Sequence, residues 1–408
     1  MLDDFIKSSN IDLKEINDKI DFIEEYNSEK VLNAFIDNGI SEVHFNSTTG
    51  YGYNDIGRDK IEDVYASIFK AEAALVRCQF ISGTHALTTC FFGLLRPGDT
   101  LLSISGKPYD TLDSVIGFND NPSSLKDYNI NYSQIDLVDN DFDYDGIRDY
   151  LSNNKVKVIE IQRSKGYSTR ESIGIDKIEK VIKLIKSIDK NIIVMIDNCY
   201  CELVSTKEPT EVGADICVGS LIKNLGGAIT SNGGYIVGKK ELVELCADRL
   251  NVPGQGREVG PSLNQNRYIL EGLYFAPMVV ANALKTAAYT AYLFEKLGYN
   301  VSPKYNEDRA DIVQNIIFNN ENDLIEYVRG IQYNSKVDSG ATIMPSEMPG
   351  YDDKIIMASG SFTEGSSIEL SCDGPLRSPY IAYQQGSISY KYGKIIVNRA
   401  IKRLIDNK

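Results

Sequence analysis

Two residues at the ends of apolar runs are the first that could do chemistry. Asp197 directly follows Ile192–Ile196, and Lys223 lies just beyond the run Ala214–Gly219, in Gly219-Ser220-Leu221-Ile222-Lys223-Asn224. A carboxylate ending a buried strand costs desolvation unless it meets a cation or donors. It also reads as an ordinary N-cap or turn aspartate. A lysine in an apolar, glycine-flanked setting is expected to have a lowered pKa, which favours Schiff-base chemistry. Most lysines are simply exposed.

Two further pieces sit in comparable places. Ser82-Gly83-Thr84-His85 joins an apolar run ending at Phe80 to a helical pattern. Small residues there let backbone N–H groups point at an anion, or merely make a turn with a Thr N-cap. Tyr109, in Gly106-Lys107-Pro108-Tyr109-Asp110, could stack on a flat ring or be a half-buried loop tyrosine. Taken in order, an anion cradle, an aromatic, a strand-end aspartate and a strand-end lysine match what pyridoxal 5′-phosphate (PLP) requires. Its phosphate needs donors, its ring nitrogen a carboxylate, and its aldehyde an amine.

Positioning these groups calls for alternating strands and helices. Strands are predicted at Ala73–Phe80, Thr100–Ile104, Val156–Ile161, Ile192–Ile196, Ala214–Gly219 and Tyr235–Val237. Helices are predicted at Asp59–Phe69 and Thr84–Leu95, and from about Asp176 to Ile188. This alternation argues for a mostly parallel sheet covered by helices, with ligands at the C-terminal strand ends. A long helix is predicted from about Pro261 to Leu297, and a last one from about Tyr390 to Asp406. The expected organisation is an N-terminal helical segment over 1–49, packing with a small domain, and a large α/β domain over 50–260. Over 261–408 a long helix leads into a small α+β domain.

The 408-residue chain has ordinary hydrophobic (42%) and charged (25%) fractions, which fit a soluble globular protein. Its net charge of −14 and pI near 4.8 argue against nucleic acid or anionic membrane as partners. Seven scattered cysteines do not read as a disulfide framework. With no signal-peptide pattern at the N-terminus, a cytoplasmic location is expected.

The stretches GYGYNDIGRDK, SGTHAL, LRPGDTLLSISGKPYDTL, IEIQRSKGYSTR, IDNCYCELV, EPTEVGADICVGSLIKNLGGAI, NGGYIVG and NVPGQGREVG span residues 50–260, and CDGPLRSPY follows later. They resemble the methionine gamma-lyase-like, aluminium-resistance family within the cystathionine and methionine lyase group of fold-type I PLP enzymes. The resemblance implies that Lys223 carries the cofactor as a Schiff base and then moves the substrate's Cα proton. It implies that Asp197 pairs with the ring nitrogen and that Tyr109 stacks on the ring. Gly83, Thr84 and Ser220 would hold the phosphate. Tyr53 and Arg58 would reach the phosphate of a neighbouring subunit in a homodimer or homotetramer, and Arg377 would take the substrate carboxylate. The expected activity is carbon–sulfur bond cleavage in a sulfur-containing amino acid, of the cystathionine beta-lyase or methionine gamma-lyase type.

The chain departs from that pattern in two places. The better-known lyases place Tyr and Arg two apart, whereas Tyr53 and Arg58 are five apart, with Tyr51 as a competitor. Ile222 stands where a hydroxyl residue usually precedes the lysine. His85 faces either the ring or the helix surface. Ser220-Leu221-Ile222-Lys223 also fits the S-x-x-K motif of a Ser/Lys hydrolase, but no S-D-N or K-T-G follows. A catalytically silent PLP-fold binding protein is the third reading. Gly233–Lys239 fits G-x-x-x-x-G-K, but the required Ser/Thr is Lys240, so it is no nucleotide loop. The Gly254–Gly260 stretch has one residue too many for a dinucleotide fingerprint, and Cys199-Tyr200-Cys201 is too tight for zinc.

Overall fold

A computed structural model describes residues 2–348 and 351–407. Helices α1 (Leu2–Asp12), α2 (Lys14–Asp37) and α3 (Ile56–Ile68) precede the first strand. The large layer then runs β1 (Ala73–Arg77), α4 (Gly83–Leu94), β2 (Thr100–Ser103), α5 (Asp113–Ile116), β3 (Asn131–Gln134) and α6 (Tyr144–Asn153). It continues with β4 (Val158–Gln162), α7 (Ile175–Ile188), β5 (Ile193–Asp197), β6 (Ile216–Ser220), β7 (Gly234–Gly238) and α8 (Lys240–Leu250). The long helix α9 (Asn266–Lys296) leads to β8 (Asn300–Ser302), β9 (Val313–Phe318), α10 (Glu321–Tyr333), β10 (Ile355–Ala358), β11 (Ser371–Pro375), β12 (Tyr380–Gln385) and α11 (Tyr390–Asp406).

The first seven strands form one sheet in the order β1-β7-β6-β5-β4-β2-β3. Strands β3, β2, β4, β5 and β6 pair in parallel, while β7 runs antiparallel to both β6 and β1. The remaining five make a separate antiparallel sheet, β10-β11-β12-β9-β8. The expected α/β class, a large mostly parallel sheet with a smaller α+β layer, is the observed one.

The covering helices are amphipathic in the required sense. In α7 the buried residues Ile178, Val181, Ile182 and Ile185 recur at helical spacing. Burying each stabilises the chain by about 1.5–3 kcal/mol. Strand β5 is buried along its whole length, as expected of a central parallel strand.

Two local features depart from the predicted elements. The first strand stops at Arg77, and the chain then turns out to Ser82, the N-cap of α4. Strand β3 and helices α6 and α8 were not predicted; β3 is half-exposed and lacks an apolar run. The N-terminal helices lie on α9, and α2 also reaches the loop after β5. There Asn27 Nδ2 donates to the Leu203 and Ser205 carbonyls, and Lys30 Nζ to that of Thr206. Among the described residues no helix is long and apolar enough to cross a membrane.

Candidate active site

The parallel pairing of β5 with β6 places Asp197 and the turn after Ser220 side by side. Both strand ends open into a cavity of about 240 Å³ between the two sheets. Its wall includes Gly83, Thr84, Tyr109, Asp197, Ser220 and Lys223, all expected from the sequence.

At one end lies the start of α4. Ser82 caps the helix by accepting from His85 N at 3.1 Å, and Thr84 Oγ1 lies 2.8 Å from Thr111 Oγ1. A Cβ on Gly83 would sit 3.3 Å from both Cys199 Sγ and Ser220 Cβ, so the close-packed turn suits glycine. His85 is not among the lining residues; its Nδ1 accepts from Ile81 N and its ring meets Phe80 edge-on.

Asp197 is buried, and its Oδ1 accepts from Cys199 N at 3.1 Å. Burial pushes its carboxyl up, against the pull of Lys223 and donation from Cys199. Lys223 Nζ stands 3.9 Å from the centre of the Tyr200 ring. Burial works to lower its ammonium, but Cys199, Tyr200, Asp197 and Glu202 raise it, and the net direction is upward. The lowered pKa expected from an apolar setting is opposed in the fold, because Cys199 and Tyr200 first, then Asp197 and Glu202, are gathered around the lysine. Pairing Asp197 with a cation would remove part of that effect. The turn carrying Lys223 is held from behind. A Cβ on Gly227 (φ +52°) would fall 2.1 Å from the Gly272 carbonyl of α9, and Asn224 Nδ2 donates to the Glu202 carbonyl.

Other parts of the wall were missed from sequence. Tyr109 OH bonds Tyr351 OH at 2.6 Å, and both rings meet Tyr167. Among the described residues, the buried Oε1 of Gln162 at the end of β4 has no partner, nor does the Ser371 hydroxyl on β11. Asp373, two residues along β11, takes Tyr167 OH at 3.0 Å. A detectable signal was polar residues alternating within buried strands, as in Val158–Gln162 and Ser371–Pro375.

Three expected residues are not brought to this cavity within the chain. Arg58 is 4% exposed and turned inward; its Nη1 donates to the Gly52 and Gly260 carbonyls at 2.7 and 2.9 Å. Its remaining nitrogens hold Asp59, so within the chain every guanidinium nitrogen has a partner. Tyr53 is 54% exposed and paired with Tyr51, which is 71% exposed. Arg377 lies beyond the Tyr167–Tyr351 screen, bonded to Asp353 Oδ2 and the Tyr167 carbonyl.

The residues present fit PLP. The capped helix start and Ser220 suit a phosphate, the free side of Asp197 a protonated ring nitrogen, and Lys223 an aldehyde. The unpartnered Gln162 Oε1 and Ser371 hydroxyl leave polar capacity for a bound molecule. The Ser/Lys alternative lacks its central contact: among the described residues no hydrogen bond joins Ser220 to Lys223, and Ser220 Oγ accepts from Ile222 N.

Comparison with known proteins agrees. An uncharacterized Bacillus subtilis protein, YnbB, is 46% identical over 400 residues, covering 97% of this chain and 95% of that protein. A Listeria monocytogenes crystal structure, named provisionally as a cystathionine beta-lyase involved in aluminium resistance, superposes with a TM-score of 0.96 at 45% identity. It covers 98% of this chain and all of that one. The PLP-dependent protein YhfS of Escherichia coli shares the fold at 16% identity, with a TM-score of 0.64 over 95% of this chain and 97% of that one. Residues 2–405 match the methionine gamma-lyase family, and the chain belongs to that family.

Proposed function

We propose that this protein is a PLP-dependent carbon–sulfur lyase acting on a sulfur-containing amino acid. The observation that carries the reading is the meeting of Asp197, Lys223 and the start of α4 in one cavity at parallel strand ends. The family match and the name of the Listeria relative support the type of reaction.

When bound, the cofactor supplies an electron-withdrawing ring that makes a substrate's Cα–H acidic and so allows a thiol to leave from Cβ or Cγ. The chain's own residues do the rest. The helix start and Ser220 would hold the phosphate. Asp197 would keep a proton on the ring nitrogen, and Tyr109 would line the place of the ring. Lys223 Nζ would anchor the cofactor and then take up the substrate's Cα proton. The tyrosines Tyr109, Tyr167 and Tyr351 limit water entry. Arg377 would have to leave Asp353 to meet a substrate carboxylate. The exposed Tyr51–Tyr53 pair suits contact with a partner's site in a homodimer, closed further into a homotetramer.

The test is direct. Purified protein should be yellow, borohydride should fix the cofactor to Lys223 on peptide mapping, and Lys223→Ala should be colourless. Sulfur amino acids should release thiol and keto acid. An adduct on another lysine would overturn the reading.

A further inference from the structure

The small-sheet wall of the cavity carries a charge that the proposed reaction does not use. Asp373 projects from β11, is 8% exposed and lines the same cavity as Lys223. Tyr167 OH and Gln385 Nε2 both donate to its Oδ2, each at 3.0 Å. Among the described residues no donor bonds Oδ1, and no Lys, Arg or His pairs with the carboxylate. Burial accordingly pushes the carboxyl up to about 6, although the two donors work to lower it.

The surroundings favour one kind of ligand. Ser371 lies two residues away on the same strand face, with a buried hydroxyl that has no partner among the described residues. Ser359 and Ser367 also line this wall. The wall therefore offers acceptors and one negative charge. The other charges in the cavity, Lys223 and Asp197, are committed to the cofactor in the reading above, on which this inference rests. A buried carboxylate without a counter-charge is unfavourable unless a ligand supplies one. A substrate carboxylate would be repelled here, whereas an ammonium finds a charged acceptor and a hydroxyl.

We propose that Asp373 is a specificity-determining residue that binds the terminal ammonium of the substrate, so that the site selects thioether amino acids whose sulfur substituent carries an amino group. An apolar substituent of equal length would leave Asp373 buried and unpaired.

Two probe pairs separate this role from others. L-lysine and L-2-aminoheptanoate have equal length, differ only in ammonium against methyl, and cannot lose a thiol. Calorimetry on the holoenzyme should show lysine binding about tenfold or more tightly, the scale of one hydrogen bond to a charged group. Asp373→Asn should remove that preference. Equal affinities in the wild type would overturn the proposal without recourse to any variant. S-(2-aminoethyl)-L-cysteine and S-propyl-L-cysteine, followed by thiol release, should show the same preference. If Asp373→Asn slows both equally and leaves the lysine preference intact, Asp373 serves the leaving group instead, and the proposal falls. Thiol release without ammonium preference would sink this inference alone. Ammonium preference without thiol release from any sulfur amino acid would sink the lyase reading alone.

Discussion

Arg58→Ala distinguishes two jobs for one guanidinium. In the fold it fastens the loop before α3 to residues 260–262. Its Nη1 bonds two carbonyls, while Asp55 accepts from Arg58 N, Thr48, Ser262 and Asn266 around it. Gly52 (φ +65°) sits so close that a Cβ would meet Pro261 backbone at 2.6 Å. Each bond from a charged donor contributes about 1.5–3 kcal/mol. The Asp59 carboxylate is 56% exposed, so that pair adds about 0–1 kcal/mol. Water entering the vacated space would satisfy part of what is lost. The substitution should therefore cost about 3 kcal/mol. The assay is urea unfolding of cofactor-free protein at fixed concentration, beside PLP retention on dialysis. Unchanged stability within about 0.5 kcal/mol, together with loss of PLP, would refute the anchoring role. It would instead favour the contact with a partner's phosphate that the family resemblance implies.

Asp197→Asn should keep PLP but slow Cα–H exchange about 100-fold, since an amide cannot hold the ring nitrogen protonated and such terms are worth about 3 kcal/mol; near-normal exchange would count against the role. Glu160 and Glu202 are buried and pushed up to about 8, by burial above all. A carboxyl raised on folding stabilises fully below its unfolded value, and that stability is lost as pH rises through the folded one. The cofactor-free protein should thus melt lower as pH climbs from about 4.5 to about 8, and Glu202→Gln should flatten the curve; parallel curves would refute this. Co-expressed Tyr53→Ala and Lys223→Ala chains, each impaired alone, should regain activity in verified heterodimers if Tyr53 acts across subunits, and none if it does not.

The alternation of apolar runs with amphipathic stretches is a local property, which is why most central strands and the long helices were legible from sequence. Asp197 and Lys223 were legible for the same reason: a polar residue ending a doubly buried strand must face something, and parallel α/β sheets leave those ends open. The two kinks in that picture came from pairing. Strand β7 enters antiparallel between β6 and β1, and short β3 is recognisable only by the parallel partner beside it.

The site shows the same division. The amino-acid sequence by itself determined the order of cradle, aromatic, aspartate and lysine, because each is fixed by its neighbours along the chain. It did not determine the direction in which the Lys223 ammonium is shifted, which depends on Cys199, Tyr200, Asp197 and Glu202 being gathered around it. Nor did it tell which arginine is free, since Arg58 looks the same in sequence whether it points outward or grips two carbonyls. Asp373 was silent until the antiparallel sheet carried it to the wall of the cavity that Lys223 also lines. Burial, hydrogen-bond partners and counter-charges are set by contacts between distant segments, and only the tertiary structure decides those.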